Sequence, residues 1–149
     1  MIELFTIGFT QKSAERFFTL LKEHRVSVLV DIRLKPDSQL SGWAKRQDLP
    51  WFMEQLVGGE YLYVPELAPT AEIMAIARDP KSHAPGEFER RYNAMLDERD
   101  VPYALDRGLF ERERCCLLCS EHDPATCHRS FAANRMATVW GDVEITHLM

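Results

Sequence analysis

No stretch of this sequence approaches the roughly 20 consecutive apolar residues of a membrane-spanning helix, so no membrane partner is expected. Glycine is sparse, with 7 in 149 residues, and nowhere does it form G-x-G-x-x-G. Gly8 with Thr10 is no such fingerprint, so no dinucleotide cofactor is indicated. Basic residues are in deficit, with 18 Lys and Arg against 23 Asp and Glu and a formal charge of −5. Broad charge-driven binding of nucleic acid is therefore not favoured, although a local basic patch stays open. Repeats, low-complexity tracts and linkers are missing as well. The opening Met1-Ile-Glu-Leu-Phe5 has neither a basic flank nor a signal-like apolar block. The expectation is a cytoplasmic chain whose 4 cysteines are reduced thiols rather than a disulfide framework.

What is present is an ordinary globular composition, 46% hydrophobic and 28% charged. That is enough for a single domain over residues 1–149 with a core of its own. Leu4–Ile7 reads as a short strand ending at Gly8, which allows a tight turn or a close backbone approach. Ser13 is placed to cap a helix that carries Phe17, Leu20, Leu21 and His24 at helical spacing. Val26–Ile32 is almost continuously apolar, as a strand buried on both faces should be. It breaks at Asp31-Ile32-Arg33 and reaches Pro36. Strand, helix and strand in this order make a right-handed βαβ unit.

Residues 34–48 are polar and aperiodic, and a long ordered loop of that kind is functional or mobile. Asp48, Pro50 and Gly58-Gly59 bracket a short helix, and Tyr61–Val64 reads as a third strand. Ala71–Ala77 and the Phe88, Tyr92, Met95, Leu96 series read as helices, and Pro102–Phe110 as a short helical turn. Cys115–Cys119 is a fourth strand and Val143–His147 a fifth. Between them Ser130–Trp140 forms a helix, with Thr126 as its cap and Gly141 as its stop. The alternation predicts an α/β three-layer sandwich: a mostly parallel sheet of about five strands with flanking helices, Rossmann-like without the dinucleotide fingerprint.

The densest chemistry lies in Cys119-Ser-Glu-His-Asp-Pro-Ala-Thr-Cys127-His128-Arg129. This run is a strand-to-helix loop, and in parallel α/β folds such loops sit at the carboxyl edge, where ligands bind. His and Arg in a first helical turn oppose the helix dipole, and a bound anion beside them would resolve the conflict. A thiol there should have a lowered pKa. The bland alternative is that Arg129 pairs with Glu121 or Asp123 and fastens the loop. Cys119 ends its strand and could emerge at the sheet edge, whereas Cys115 and Cys116 read as buried, inert thiols.

Cys116-Leu-Leu-Cys119 matches C-x-x-C only formally, because residues three apart on a strand point to opposite faces. Cys119, Cys127, His128 and a carboxylate or His122 are suitable ligand types for zinc or iron. However, Cys127 and His128 are adjacent, which makes joint coordination awkward, and no metal is assigned. A thiol phosphatase would need a Cys about five residues before an Arg, a spacing neither Cys119 nor Cys127 has to Arg129. Asp31 and Arg33 share one side of their strand and form either a structural tie or part of the site. Trp43, Lys45, Arg46 and Trp51 mix aromatic and basic groups as single-stranded nucleic-acid surfaces do, but equally suit a loop folding over its own core.

These residues together resemble the domain-of-unknown-function family 488. The resemblance runs through Phe5–Thr10, Leu29–Arg33 with Pro36 and Ser38, Tyr61–Leu67, Leu117–Glu121 with Cys127-His-Arg129, and Val143–Leu148. It implies a cytoplasmic, prokaryotic-type α/β domain and brings no reaction or cofactor with it. The chain has Ala68-Pro69 where the family often has glycines, and the segment after Arg33 also departs from it.

The leading expectation is an enzyme with a cysteine and anion-binding pocket at the carboxyl edge of the sheet. Its ligand would be a phosphate- or carboxylate-bearing small molecule or a nucleotide. Cys119 or Cys127 would be nucleophile or redox centre, with His128, Asp31 or Glu121 moving protons. Arg129, Arg33, Gly8 and Thr10 would hold the anion. A non-catalytic anion or nucleotide-binding module, a nucleic-acid accessory protein and a metal-binding protein stay open as alternatives, as do the cofactor and the oligomeric state.

Overall fold

A computed structural model describes residues 1–149, with the side chain of Gln39 outside the description. Five strands, β1 (Ile2–Gly8), β2 (Val28–Asp31), β3 (Glu60–Tyr63), β4 (Cys115–Cys119) and β5 (Val143–Leu148), form one sheet in the order β3-β2-β4-β1-β5. Every pairing is parallel. The flanking helices are α1 (Ala14–Glu23), α2 (Leu49–Phe52), α3 (Ala71–Arg78), α4 (Glu87–Glu98), α5 (Arg107–Arg112) and α6 (His128–Trp140). The sheet is thus wholly parallel, and the α/β sandwich expected from the sequence is present.

Strand alternation sends side chains to two separate cores. Phe5, Ile7, Leu29, Cys116 and Leu118 pack against Phe17, Phe18, Leu20 and Leu21 of α1 and Leu49 of α2. Leu4, Val28, Val30, Cys115 and Leu117 face the opposite way, toward Ile73, Tyr92, Met95, Phe110, Ala132 and Met136. The chain therefore runs outward from β1 through β2 to β3 over one face and returns over the other. Right-handed crossovers force this change of face when the direction of winding reverses. The return places β4 between β2 and β1, so neighbouring strands send their connections to opposite faces. A crevice opens at that point, over the carboxyl ends of the strands.

Local signals act as the sequence suggests at several ends. Ser13 Oγ accepts from Arg16 N at 3.0 Å and caps α1, and Gly141 ends α6 at φ 89°. The last helix differs at its start. Residues Pro124–Thr126 form a short 3-10 turn, and Cys127, not Thr126, is the N-cap residue of α6. Asp123 holds that turn by accepting from Ala125 N, which delays the helix until His128.

Residues 34–48 fold over their own core. Trp43 packs its ring 4.9 Å from Phe17 and 5.6 Å from Phe18, and Arg46 stacks 4.6 Å over Tyr63. Trp51 is exposed. No helix among the described residues is long and apolar enough to cross a membrane.

Candidate functional site

The register of the sheet aligns Gly8 of β1 with Cys119 of β4, and Leu118 of β4 with Asp31 of β2. The segments leaving these strands converge on a cleft of about 410 Å³. After β1 come Phe9 and Thr10; after β2, Arg33, Leu34, Lys35 and Ser41; after β4, Cys119, Ser120 and Glu121. Thr126, Cys127 and His128 close one wall, and Met74, Arg78 and Phe88 lean in from α3 and α4. Arg78 was not marked in the sequence, Phe88 is there only a helix-face residue, and Lys35 counts there only toward a nucleic-acid surface; none of the three was expected in this site. Nothing in their local pattern separates them from ordinary surface side chains; α3 reaches the cleft because β3 returns the chain across the sheet edge.

Cys119 and Cys127 are joined by a disulfide, with their Cα atoms 7.0 Å apart. This corrects the expectation that all cysteines are free thiols. The 3-10 turn folds residues 120–126 back on themselves, which brings the N-cap of α6 opposite the end of β4. Cys115 and Cys116 remain free and buried. Burial pushes Cys115 up to about 12 and Cys116 well above its ordinary value, so neither is poised to react. Cys116 belongs to the core on the far side of the sheet from Cys119's partner helix, which separates the two halves of the formal C-x-x-C.

His128 lies against this disulfide, its Nδ1 3.5 Å from Cys119 Sγ and 4.0 Å from Cys127 Sγ. Its Nε2 is 2.7 Å from the Ile32 carbonyl oxygen. A carbonyl can only accept, so Nε2 carries the proton and Nδ1 presents a lone pair to the sulfurs. Burial pushes the imidazole down to about 4, although the Ile32 carbonyl pulls the other way.

Between that value and the ordinary 6.5 the unfolded chain takes up a proton that the folded chain refuses. The contribution of this residue to stability is complete above about pH 6.5 and is lost as pH falls toward about 4, up to about 3 kcal/mol. Urea midpoints of the oxidised protein should fall across that window, and fall less in His128→Asn. Parallel curves for the two proteins would contradict it.

Arg129 does not line the cleft, which removes it from the expected anion-binding set. Its side chain is wholly buried. Nε donates to Thr6 Oγ1 at 3.1 Å, Nη2 to the His122 carbonyl at 3.0 Å, and Nη1 to the Glu121 carbonyl. The Thr6 hydroxyl is also hydrogen-bonded to His147 Nδ1, at 2.6 Å. The conflict between a first-turn Arg and the helix dipole is thus settled by protein acceptors. It fastens the loop, through carbonyls rather than through the Glu121 or Asp123 carboxylates.

Gly8 also serves the loop rather than a ligand: a Cβ there would lie 1.7 Å from the Glu121 carbonyl oxygen. Thr10 lines the cleft and donates to the Ser120 carbonyl at 2.7 Å, tying the β1 and β4 loops together. Asp31 is wholly buried and grips Arg33 through two hydrogen bonds, Nε to Oδ1 at 2.9 Å and Nη2 to Oδ2 at 2.8 Å. Tyr61 OH also donates to Asp31. Asp31 therefore fixes the side chain of Arg33, one of the residues that line the cleft. Glu121 lines it too, as an exposed carboxylate.

The cleft holds the disulfide and His128 on one wall, with Arg33, Lys35 and Arg78 as its cations. The family model described as Domain of unknown function DUF488 matches residues 13–136. No curated protein and no solved structure matches the chain.

Proposed function

The chain belongs to the DUF488 family, and from the geometry of its cleft we propose that it is an enzyme that binds a phosphate- or carboxylate-bearing small molecule or nucleotide. The reacting centre is the wall made by Cys119, Cys127 and His128. One observation carries this reading: the sulfurs, the His128 lone pair and three cationic side chains meet in a single cleft at the topological switch point, where open α/β sheets bind ligands.

Lys35 and Arg78 supply charge from the rim, and Arg33 supplies a guanidinium whose orientation Asp31 sets. The first turn of α6 adds unpaired backbone N–H groups and the positive end of its dipole. In a cytoplasmic setting a small dithiol reductant opens the Cys119–Cys127 bond, taking up the two sulfurs' oxidation as its own disulfide. Cys119 then donates its S–H to His128 Nδ1 and is the thiol facing the bound anion. Glu121 is the exposed carboxylate in reach of the cleft for proton movement.

The test is alkylation of the reduced protein by iodoacetamide, followed residue by residue by mass spectrometry. Inorganic phosphate or a nucleoside monophosphate should protect Cys119 saturably. Lys35→Ala and Arg78→Ala should each raise the protecting concentration about tenfold, as loss of one hydrogen bond to a charged group does. Protection that is absent at millimolar anion, or indifferent to both substitutions, overturns the reading.

A further inference from the structure

The two bonded sulfurs and the His128 Nδ1 atom lie within 4.8 Å of one another, all three residues buried. We propose that, when the Cys119–Cys127 bond is reduced, these three atoms bind one zinc ion at the wall of the cleft. This deepens the reading of the wall as a reacting centre, and rests on that reading only for the metal's part in turnover.

The distances suit the metal. Tetrahedral zinc, with Zn–S of about 2.3 Å and Zn–N of about 2.0 Å, has S···N edges of about 3.5 Å and an S···S edge of about 3.8 Å. Nδ1 already stands 3.5 Å and 4.0 Å from the two sulfurs. Only the sulfurs must part, and the Cα atoms of the two cysteines are 7.0 Å apart, which leaves room for it.

The imidazole is prepared as a ligand. Its Nε2–H is held by the Ile32 carbonyl at 2.7 Å, and a backbone acceptor on the distal nitrogen is the usual support of a metal-bound histidine. It fixes both the tautomer and the ring. The adjacency of Cys127 and His128, awkward for joint coordination along a regular helix, is no obstacle here. Cys127 has extended backbone, φ −123° and ψ 145°, and the helix begins one residue later. The change of backbone lets neighbouring side chains aim at one point.

Charge and access agree. Two thiolates and a neutral imidazole exactly offset a divalent cation, whereas two bare thiolates in a buried wall would be strongly disfavoured. Cys119, Cys127 and His128 supply three ligands and all line the cleft. A three-ligand set leaves the fourth position open, as in catalytic rather than structural zinc sites.

The redox balance is explicit. Dithiothreitol reduces the disulfide, giving two electrons and two protons and becoming its own cyclic disulfide. Zinc binding then releases the two thiol protons to the buffer. Hydrogen peroxide reverses the cycle: the two thiolates lose two electrons, the S–S bond forms, zinc leaves, and peroxide takes up two protons to become two waters. The metal and the disulfide are alternative occupants of one place.

The experiment titrates the full chain, reduced and freed of reductant under anaerobic conditions, with zinc and separately with cobalt(II). One equivalent should bind. Cobalt should show thiolate-to-metal charge transfer and tetrahedral d–d bands, and zinc X-ray absorption should report two sulfurs and one nitrogen. Cys119→Ser and His128→Asn should lose the equivalent to a competing chelator, while Cys115→Ser retains it. Oxidised wild-type protein, folded and unmutated, should bind none, so misfolding of a variant cannot decide the question.

Reduced protein that binds no equivalent, cobalt spectra without thiolate bands, or equal binding by the oxidised form overturns the proposal. Zinc uptake is measured without any anion. If it succeeds while phosphate protection fails, the anion reading falls and the metal site stands; the reverse result separates them the other way.

Discussion

Replacing Arg129 with methionine is expected to destabilise the protein by about 3–5 kcal/mol, because three hydrogen-bond acceptors lose their donor at once. The side chain has no exposure, and methionine fills the space of its stem without its donors. The part-buried Glu121 and His122 carbonyls and the buried Thr6 hydroxyl then lose the donor that Arg129 supplies. Each such acceptor costs about 1–3 kcal/mol. Arg129→Lys recovers little, because a single ammonium cannot reproduce the planar fork that spans two carbonyls and a hydroxyl. The measurement is the urea midpoint of each variant, with the oxidation state held fixed. A methionine variant as stable as the parent would mean that these three hydrogen bonds do not hold the loop.

Gly8→Ala is expected to cost about 3 kcal/mol, the upper part of the range for overpacking. The new methyl carbon would lie 1.7 Å from the Glu121 carbonyl oxygen and 2.6 Å from its carbon. Both are backbone atoms, so no rotamer change relieves the clash and the loop after β4 must move. That loop carries Cys119 toward Cys127, so the rate at which the disulfide re-forms after reduction should fall as well. Calorimetric melting and thiol titration check the two effects. The Glu121 carbonyl is also the acceptor for Arg129 Nη1, so the two substitutions act on one contact. The double variant should be less destabilised than the sum of the singles, by about 1 kcal/mol or more. Strict additivity would mean that Gly8 and Arg129 act on separate parts of the loop.

The amino-acid order carried more of the fold than of the site. The strand at Cys115–Cys119 and the helix after Cys127 were legible because apolar runs and helical spacing report burial locally. The place of the site followed from them, since a strand-to-helix loop in a parallel sheet lies at its carboxyl edge. The aromatic residues at 43 and 51 were less legible. Both looked alike in sequence, yet Trp43 packs on Phe17 and Trp51 is exposed. Periodicity fails in an irregular segment, where each side chain finds its own neighbours.

The roles at the site divide along the same physical line. Alternation puts Asp31 and Arg33 on one side of the chain as it leaves β2, because it is a property of extended backbone alone. Their bond to each other, and the Tyr61 contact from β3, needed the sheet to form. The sequence puts Arg129 in a first helical turn, where its charge conflicts with the dipole. An anion and a carbonyl cluster both resolve that conflict, and only the folded loop supplies the carbonyls.

By itself the sequence determined the alternating α/β order, the strand-to-helix loop with its two cysteines, and the close approach that Gly8 permits. Each depends on residues near in the chain or on a single backbone property. The tertiary structure alone decided the strand order, the pairing of Cys119 with Cys127, the inward turn of Arg129, and the entry of Lys35 and Arg78 into the cleft. The strand order and the entry of Lys35 and Arg78 depend on which distant segments share a boundary, whereas the disulfide and the Arg129 contacts depend on how the loop after β4 folds back, a path that residue types and spacing leave open.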